Sequence, residues 1–159
     1  MKTLLATIQG SEIWLYTDES TGQEIVRFTA DMDIDCDGSG GNPNNDPYFQ
    51  PDTRLHFRGR PLHAELIPYI VVPPIILAKT KGKVLGSSCL VSRGKRSCFA
   101  VVGDSGPRAK VGEGSPALAR ALGLNDNPNH GGTSEFEITY EIEVGKPAVV
   151  SVTFDLQSA

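Results

Sequence analysis

Apolar and polar residues alternate between residues 24 and 35, and this alternation is the clearest pattern in the chain. Phe28, Ala30, Met32 and Ile34 fall at every second position, with polar residues between them. A period of two places such residues on one face of a β-strand. The pattern therefore predicts a strand over Glu24–Asp35 with an apolar inner face and a polar outer face.

Shorter β-like runs precede and follow this strand. The predicted strands are Leu4–Gln9, Ile13–Thr17, Lys83–Val91, Ser97–Gly103, Glu135–Gly145 and Ala148–Phe154. The strands Lys83–Val91 and Ser97–Gly103, on either side of residues 92–95, are expected to pair as a hairpin. Residues 61–78 are rich in apolar side chains but contain Pro68, Pro73 and Pro74, so we expect bent or edge strands there and no helix.

One segment carries strong helix signals. Ser115 is a suitable N-cap, Pro116 fits the first helical position, and Gly123 can end the helix. The chain also contains 17 glycines and 11 prolines, which indicates many turns. Together the patterns predict a mainly β fold, a compact six-stranded-type β-barrel with one short helix, in which residues 1–159 form a single domain.

Charge narrows the possible functions. The 159 residues carry a formal net charge of −4 and lack an apolar run long enough for a membrane span, so we expect neither nucleic acid nor membrane as a partner. The acidity is local, because residues 31–52 contain six aspartates and no lysine or arginine. Residues 1–6 begin like a signal peptide, but Gln9, Gly10 and Glu12 interrupt it, so we expect no export signal.

The three cysteines give little support for a metal site. No CxxC pair is present, which argues against zinc. Cys89 and Cys98 flank the predicted hairpin turn, and both a disulfide and two reduced thiols are compatible with that placement. Cys36 lies among aspartates, which are expected to raise the pKa of its thiol.

Asp31, Asp33 and Asp35 share the polar face of the strand predicted over Glu24–Asp35. Three interpretations are open: a solvated sheet edge, a calcium site, or a row of carboxylates that binds the cationic groups of a ligand. Asp33, Asp35 and Asp37 match the opening of an EF-hand loop, but the twelfth position is Asn44 instead of glutamate and the flanks alternate as strands do. An EF-hand is therefore excluded, while a less regular calcium site stays open.

A second pair of acids lies in glycine-rich turns. Asp104 ends an apolar run, and Glu113 comes just before the predicted helix. Two carboxyl groups held in this way are what glycoside hydrolysis requires, one as acid and one as base or nucleophile. A turn-forming aspartate and a glutamate beside a helix N-terminus are also common without any catalytic role.

Three segments of the chain resemble the chitosanases of glycoside hydrolase family 75. They are Ala30–Gly38 (ADMDIDCDG), Leu62–Pro73 (LHAELIPYIVVP) and Ala100–Ser115, which contains AVVGDSGP and VGEGS. The resemblance implies endo-hydrolysis of β-1,4-linked glucosamine chains with inversion at the anomeric carbon. It places the catalytic pair on Asp104 and Glu113, and it implies a secreted, extracellular protein, although the residues themselves leave a cytoplasmic location open.

The resemblance implies a ligand for the aspartates on the polar face of the strand. Chitosan is a polycation, so Asp31, Asp33 and Asp35 are expected to bind its ammonium groups, and Tyr48, Phe49 and Tyr69 are candidates for stacking on sugar rings. This hydrolysis requires no cofactor or metal, and we expect the protein to be a monomer. By analogy with other small inverting glycosidases, the barrel is expected to be of the double-psi type.

Roles can be proposed for the catalytic pair. Desolvation at the end of an apolar strand is expected to raise the pKa of Asp104 and make it the general acid. The helix N-terminus is expected to keep Glu113 ionised as the base, and the reverse assignment stays open. The alternative function is a non-catalytic, acidic carbohydrate-binding or wall-loosening module, stabilised by calcium.

Overall fold

The computed structural model describes residues 1–39 and 46–148. Within them, ten strands and two helices follow one another along the chain. The strands are β1 (Lys2–Ile8), β2 (Ser11–Thr17), β3 (Glu24–Ile34), β4 (His56–Phe57), β5 (Arg60–Pro61), β6 (Tyr69–Val72), β7 (Ser87–Arg93), β8 (Arg96–Ser105), β9 (Glu113–Gly114) and β10 (Thr133–Pro147). The helices are α1 (Pro74–Lys79) and α2 (Pro116–Ala121).

Six strands form a closed barrel. The main sheet has the order β1-β2-β3-β10-β7-β8-β6-β9, and β9 also pairs with β3, which closes the ring. Most pairs are antiparallel, but β6 and β8 are parallel, as are β3 and β9. The predicted mainly β barrel is confirmed, whereas the double-psi form stays a prediction.

Strand β3 shows why the barrel forms. Val26, Phe28, Ala30, Met32 and Ile34 are all buried, and the residues between them are exposed or half-buried. The predicted alternation is therefore confirmed, with the apolar face turned into the core. There the Phe28 ring stacks on the ring of Tyr140 from β10, with centroids 4.7 Å apart.

The predicted hairpin around residues 92–95 is confirmed, and the first two strands form a hairpin as well. β1 pairs antiparallel with β2, and β7 pairs antiparallel with β8 around the turn at residues 94–95. In the second hairpin Cys89 lies opposite Ala100 and Cys98 lies opposite Val91, and all three cysteines of the chain are free thiols. The predicted strand Glu135–Gly145 lies within β10, while almost all of the one predicted over Ala148–Phe154 lies outside the described residues.

One helix was predicted correctly and one was missed. The side chain of Ser115 accepts a hydrogen bond from the backbone N–H of Leu118 and caps α2, as expected. The expectation of bent or edge strands without a helix over residues 61–78 is wrong. Pro74 occupies the first turn of α1, where a missing N–H removes no helical hydrogen bond, and β6 is a buried barrel strand with partners on both sides. In the described part of the chain, no helix is long and apolar enough to cross a membrane.

Candidate active site

An open cleft of about 720 Å³ lies at one end of the barrel. It is formed where the end of β3, the end of β8 and β9 meet. Its lining residues are Asp33, Ile34, Asp35, Asp37, Asp46, Tyr48, Gln50, Val71, Asp104, Ser105, Gly106, Pro107, Lys110, Glu113, Pro128, Asn129 and Gly131. Among these residues, six carboxyl groups face one basic side chain, so the cleft is strongly acidic.

The turn after β3 brings two carboxyl groups into the cleft. The backbone N–H of Asp37 donates to a carboxylate oxygen of Asp35 at 2.9 Å, and the Asp37 carboxylate accepts from the backbone N–H of Gln50 at 2.8 Å. Beneath the turn, the Tyr69 hydroxyl donates to the carbonyl oxygens of Asp35 and Asp37 at 3.1 and 2.8 Å. The turn is thus held from below by a buried side chain.

This position of Tyr69 corrects the expectation that it stacks on sugar rings. The side chain is 0% exposed and packs in the core beneath the cleft. It is a barrel residue because β6 is buried on both faces. Its role is to position the aspartate turn, and the expected stacking contact is wrong.

Asp104 lies near the end of β8. Its carboxylate accepts hydrogen bonds from the backbone N–H groups of Arg54 and Ser105, at 3.0 and 2.9 Å. The carboxylate oxygens of Asp35, Asp37 and Asp104 lie within 4.8 Å of one another. Three acids from two distant parts of the sequence therefore form one cluster.

Glu113 lies on β9, the two-residue strand that closes the barrel between β3 and β6. Its side chain is 13% exposed. A Cβ atom at Gly106 would lie only 2.7 Å from Oε2 of Glu113 and 2.8 Å from Cγ1 of Val71. The absence of a side chain at Gly106 therefore makes room for the glutamate carboxyl group.

Lys110 is the basic group of the cleft. Its ammonium contacts the carboxylate of Asp33 and lies 3.9 Å from Oε1 of Glu113. Burial lowers the pKa of Lys110, but the hydrogen bond to Asp33 and the charge of Glu113 outweigh it and raise the pKa overall. Lys110 thus stays charged and links an aspartate of β3 to the glutamate of β9.

The acids of the cluster are hard to ionise. Burial, followed by the charge of Asp35, raises the pKa of Glu113 to about 7, although Lys110 opposes the change. Burial and the neighbouring carboxylates also raise the pKa values of Asp35 and Asp37.

Asp104 follows the same trend. Burial raises its pKa, while its two backbone hydrogen bonds act in the opposite direction by favouring the ionised form. The predicted upward shift at Asp104 is confirmed. The expected effect of the helix on Glu113 is wrong, because burial in the wall of the barrel exceeds any influence of α2, whose first turn is capped by Ser115.

The other predicted residues fall in different places. Asp33 and Asp35 line the cleft, and Tyr48, 83% exposed, lies at its rim. Asp31 does not line the cleft. The chain at Gly112, with φ of +88°, passes so close that a Cβ there would lie 2.5 Å from a carboxylate oxygen of Asp31.

An aromatic ring and a thiol also lie under the cleft. Phe49 is partly buried against the second apolar cluster, which contains Tyr69. Cys36 is 1% exposed, and burial, the hydrogen bond to Asp46 and nearby carboxylates raise the pKa of its thiol to about 12, as predicted. These residues support the cleft from beneath.

The site also contains residues that the sequence analysis did not assign to substrate binding or catalysis. Lys110 is one, and Asp37, which was considered only for a calcium site, is another. The only sequence signal for Lys110 is its position three residues before Glu113. A cation could bind to the cluster of Asp35, Asp37 and Asp104, but Asp33, which the calcium hypothesis included, contacts Lys110 instead.

Comparison with known proteins places the chain in a family. Residues 32–157 match the family described as fungal chitosanase of glycosyl hydrolase group 75. Two proteins of Aspergillus oryzae, each named Endo-chitosanase C, are 32% and 33% identical to this chain over 134 and 131 residues. Each alignment covers 77% of this chain but only 33% and 32% of the relative, so the chain spans about a third of those proteins.

A cleft that holds a pair of carboxyl groups, one with a pKa raised far enough to act as an acid, is typical of glycoside hydrolases. The family match extends over most of the chain and includes both carboxyl groups. This chain belongs to the glycosyl hydrolase 75 family.

Proposed function

We propose that this protein is an endo-chitosanase that hydrolyses β-1,4 bonds between glucosamine units of chitosan, with inversion at the anomeric carbon. One observation carries the proposal: Asp104 and Glu113, both with raised pKa, line an acidic cleft in a member of this family. The non-catalytic carbohydrate-binding alternative is not favoured, because the matched family is described as chitosanases, which are hydrolases.

The charge of the cleft suits a cationic chain. Asp33, Asp35 and Asp37 line one side, and protonated glucosamine units carry an ammonium group that carboxylates can bind. A cleft lined by one sign of charge also raises the local concentration of an oppositely charged polymer. We infer that these three aspartates form the binding surface for the glucosamine ammonium groups.

The electrostatics suggest a division of roles. Glu113, with a pKa of about 7, retains a proton under mildly acidic conditions and is suited to protonate the glycosidic oxygen. Asp104 accepts two backbone N–H bonds, which favour its ionised form, and is suited to act as the base. We therefore propose the reverse of the sequence-based assignment.

Hydrolysis then takes place in a single displacement at the anomeric carbon. Glu113 gives its proton to the glycosidic oxygen as the bond from that oxygen to the anomeric carbon breaks. A water molecule attacks the same carbon from the opposite face and loses a proton to Asp104. The products are two shorter chains, and the two carboxyl groups exchange protonation states before the next turnover.

The test uses Glu113→Gln and Asp104→Asn. Both should lower the rate of reducing-end release from chitosan by at least about 10²-fold without loss of fold, since positioned acids and bases contribute that much. Glu19→Gln, at an exposed turn, is the matched control. NMR of the first products should show inversion, and retention would contradict the mechanism.

Rescue experiments separate the two roles. Azide should restore turnover to Asp104→Ala by replacing the activated water, and Glu113→Gln should keep activity on a substrate with a good leaving group. The opposite pattern would make Asp104 the acid. An extracellular location and a monomeric state stay predictions, to be tested by cell fractionation and size-exclusion chromatography.

A further inference from the structure

A second groove, of about 290 Å³, lies on the outer face of the sheet. Its lining residues are Gly10, Ser11, Glu12, Trp14, Tyr16, Arg27, Phe28, Thr29 and Phe136. None of these residues lines the cleft. Most of the groove comes from β2 and the first half of β3, which precede the family-matched residues 32–157. The family match therefore does not account for it.

The groove presents aromatic side chains to solvent. Trp14 and Tyr16 are two residues apart on β2 and are both partly exposed, so they lie on one face of the strand. Phe136, 50% exposed, lies at the side of the groove near Gly10. Single exposed apolar residues are normal on protein surfaces, whereas several of them in one groove form a candidate binding surface.

The Trp14 ring already binds a cation. The ammonium of Lys2 lies over it, 4.4 Å from the ring centroid. This contact shows that the face of the ring is accessible to an ammonium group, and the same attraction acts on a ligand cation. The side chain of Lys2 is exposed, so it can move aside at little cost.

One other feature indicates a cationic ligand. The carboxylate of Glu12 also lines the groove, while Arg27 lies 3.8 Å from the carboxylate of Glu141, which offsets its charge.

The groove and the cleft lie along the same elements. Arg27 and Thr29 of the groove and Asp33 of the cleft are on the same outward face of β3, because they are separated by even numbers of residues. Residues 128–131 of the cleft wall lead within five residues to Phe136. A long, extended polymer that leaves the cleft along β3 would therefore reach the groove.

We infer that this groove is a second binding site for the glucosamine chain, in which a sugar unit replaces Lys2 on the face of Trp14. The inference rests on the proposed function, since it takes its ligand from it. It adds a site that holds long chains and that short oligomers bound in the cleft do not reach.

The first test uses intrinsic fluorescence, because Trp14 is the single tryptophan of the chain. The hydrolysis-deficient Glu113→Gln variant is titrated with glucosamine oligomers of increasing length. A saturable change in emission that begins only above a threshold length is expected. An emission that stays constant with the longest oligomers and with polymeric chitosan would overturn the inference.

The second test compares kinetics on long and short substrates. Trp14→Leu should raise KM for polymeric chitosan about threefold, the size of a partly exposed cation–π contact, and leave kcat/KM for a short oligomer unchanged. Lys2→Gln should lower the polymer KM. Phe99→Leu is the matched control, because this aromatic side chain is 63% exposed and lies outside both the cleft and the groove.

These outcomes separate the two proposals. Equal effects of Trp14→Leu on polymer and oligomer, or no effect on either, would overturn the second site while chitosanase activity stands. If the wild-type protein hydrolyses no glucosamine substrate of any length, the proposed function fails. The fluorescence titration does not depend on replacing Trp14, so it decides the case even if that variant does not fold.

Discussion

Replacing Lys110 by glutamine tests how the cleft sets the protonation of Glu113. The ammonium of Lys110 contacts Asp33 and lies 3.9 Å from Oε1 of Glu113. Its positive charge lowers the pKa of Glu113, while burial and the charges of Asp35, Asp33 and Asp104 raise it. Lys110→Gln removes the one attractive charge and leaves the repulsive ones in place.

The size of the effect follows from the distance. Two unit charges about 4 Å apart interact by about 4 kcal/mol at an effective dielectric constant of 20 and by about 1 kcal/mol in water. Lys110 is 32% exposed and already contacts Asp33, so the lower part of that range applies. About 1.4 kcal/mol corresponds to one pH unit, and we expect a change of about that size.

The assay is the pH dependence of kcat/KM for chitosan hydrolysis. If Glu113 is the acid, activity is lost as pH rises through its pKa of about 7. Loss of Lys110 favours the protonated form, so the alkaline limb of the profile should move upward by about one pH unit. Lys110→Arg keeps the charge and should leave this limb near its wild-type position.

Two results would refute this reasoning. An alkaline limb that does not move, or moves downward, would show that Lys110 has no electrostatic effect on the acid. An upward movement of the acidic limb instead would identify Glu113 as the base. Arg108→Gln, at an exposed position two residues away, controls for a general change in charge.

Three other predictions concern the acids and their supports. The melting temperature should fall from pH 5 to pH 8, because Glu113, Asp35 and Asp37 bind protons more tightly in the folded state. Glu113 contributes about 3 kcal/mol to the free energy of unfolding; this contribution is fully present below its ordinary pKa of 4.5, is lost above about 7, and should be missing from Glu113→Gln. Tyr69→Phe should lower the free energy of unfolding by about 1–3 kcal/mol in urea titrations and reduce kcat, because two partly buried carbonyls lose their donor; unchanged values for both would contradict the positioning role. Gly106→Ala should lower kcat about 10²-fold, since the added methyl group displaces the carboxyl group of Glu113, and a normal kcat would show that the carboxyl group can relax.

The sequence predicted most of the barrel because its strands alternate. Where one face of a strand is buried, as in β3, the period of two is visible directly. Strand β6 is buried on both faces and has no alternation, so the prolines that flank it (Pro68, Pro73 and Pro74) dominated the interpretation. The same prolines concealed α1, since Pro74 is compatible with a helix only at its first turn.

The site was only partly predictable. Asp33 and Asp35 were singled out because aspartates are uncommon in strands. Asp104 and Glu113 were assigned as the catalytic pair by the family resemblance, since carboxyl groups in such turns are common without a catalytic role. Which of them lie together depends on how the barrel closes, which no local pattern encodes. The burial of Tyr69, for example, follows from the pairing of β6 with β8 and β9.

Strand β9 has a consequence for how the protein loses activity. This two-residue strand closes the barrel by pairing with β3 and β6, and it carries Glu113. Short strand pairs open more readily than long ones, so local opening there requires less free energy than global unfolding. The amide protons of residues 113–115 should exchange with solvent before those of β10, and catalysis should disappear at denaturant concentrations that leave the rest of the barrel intact.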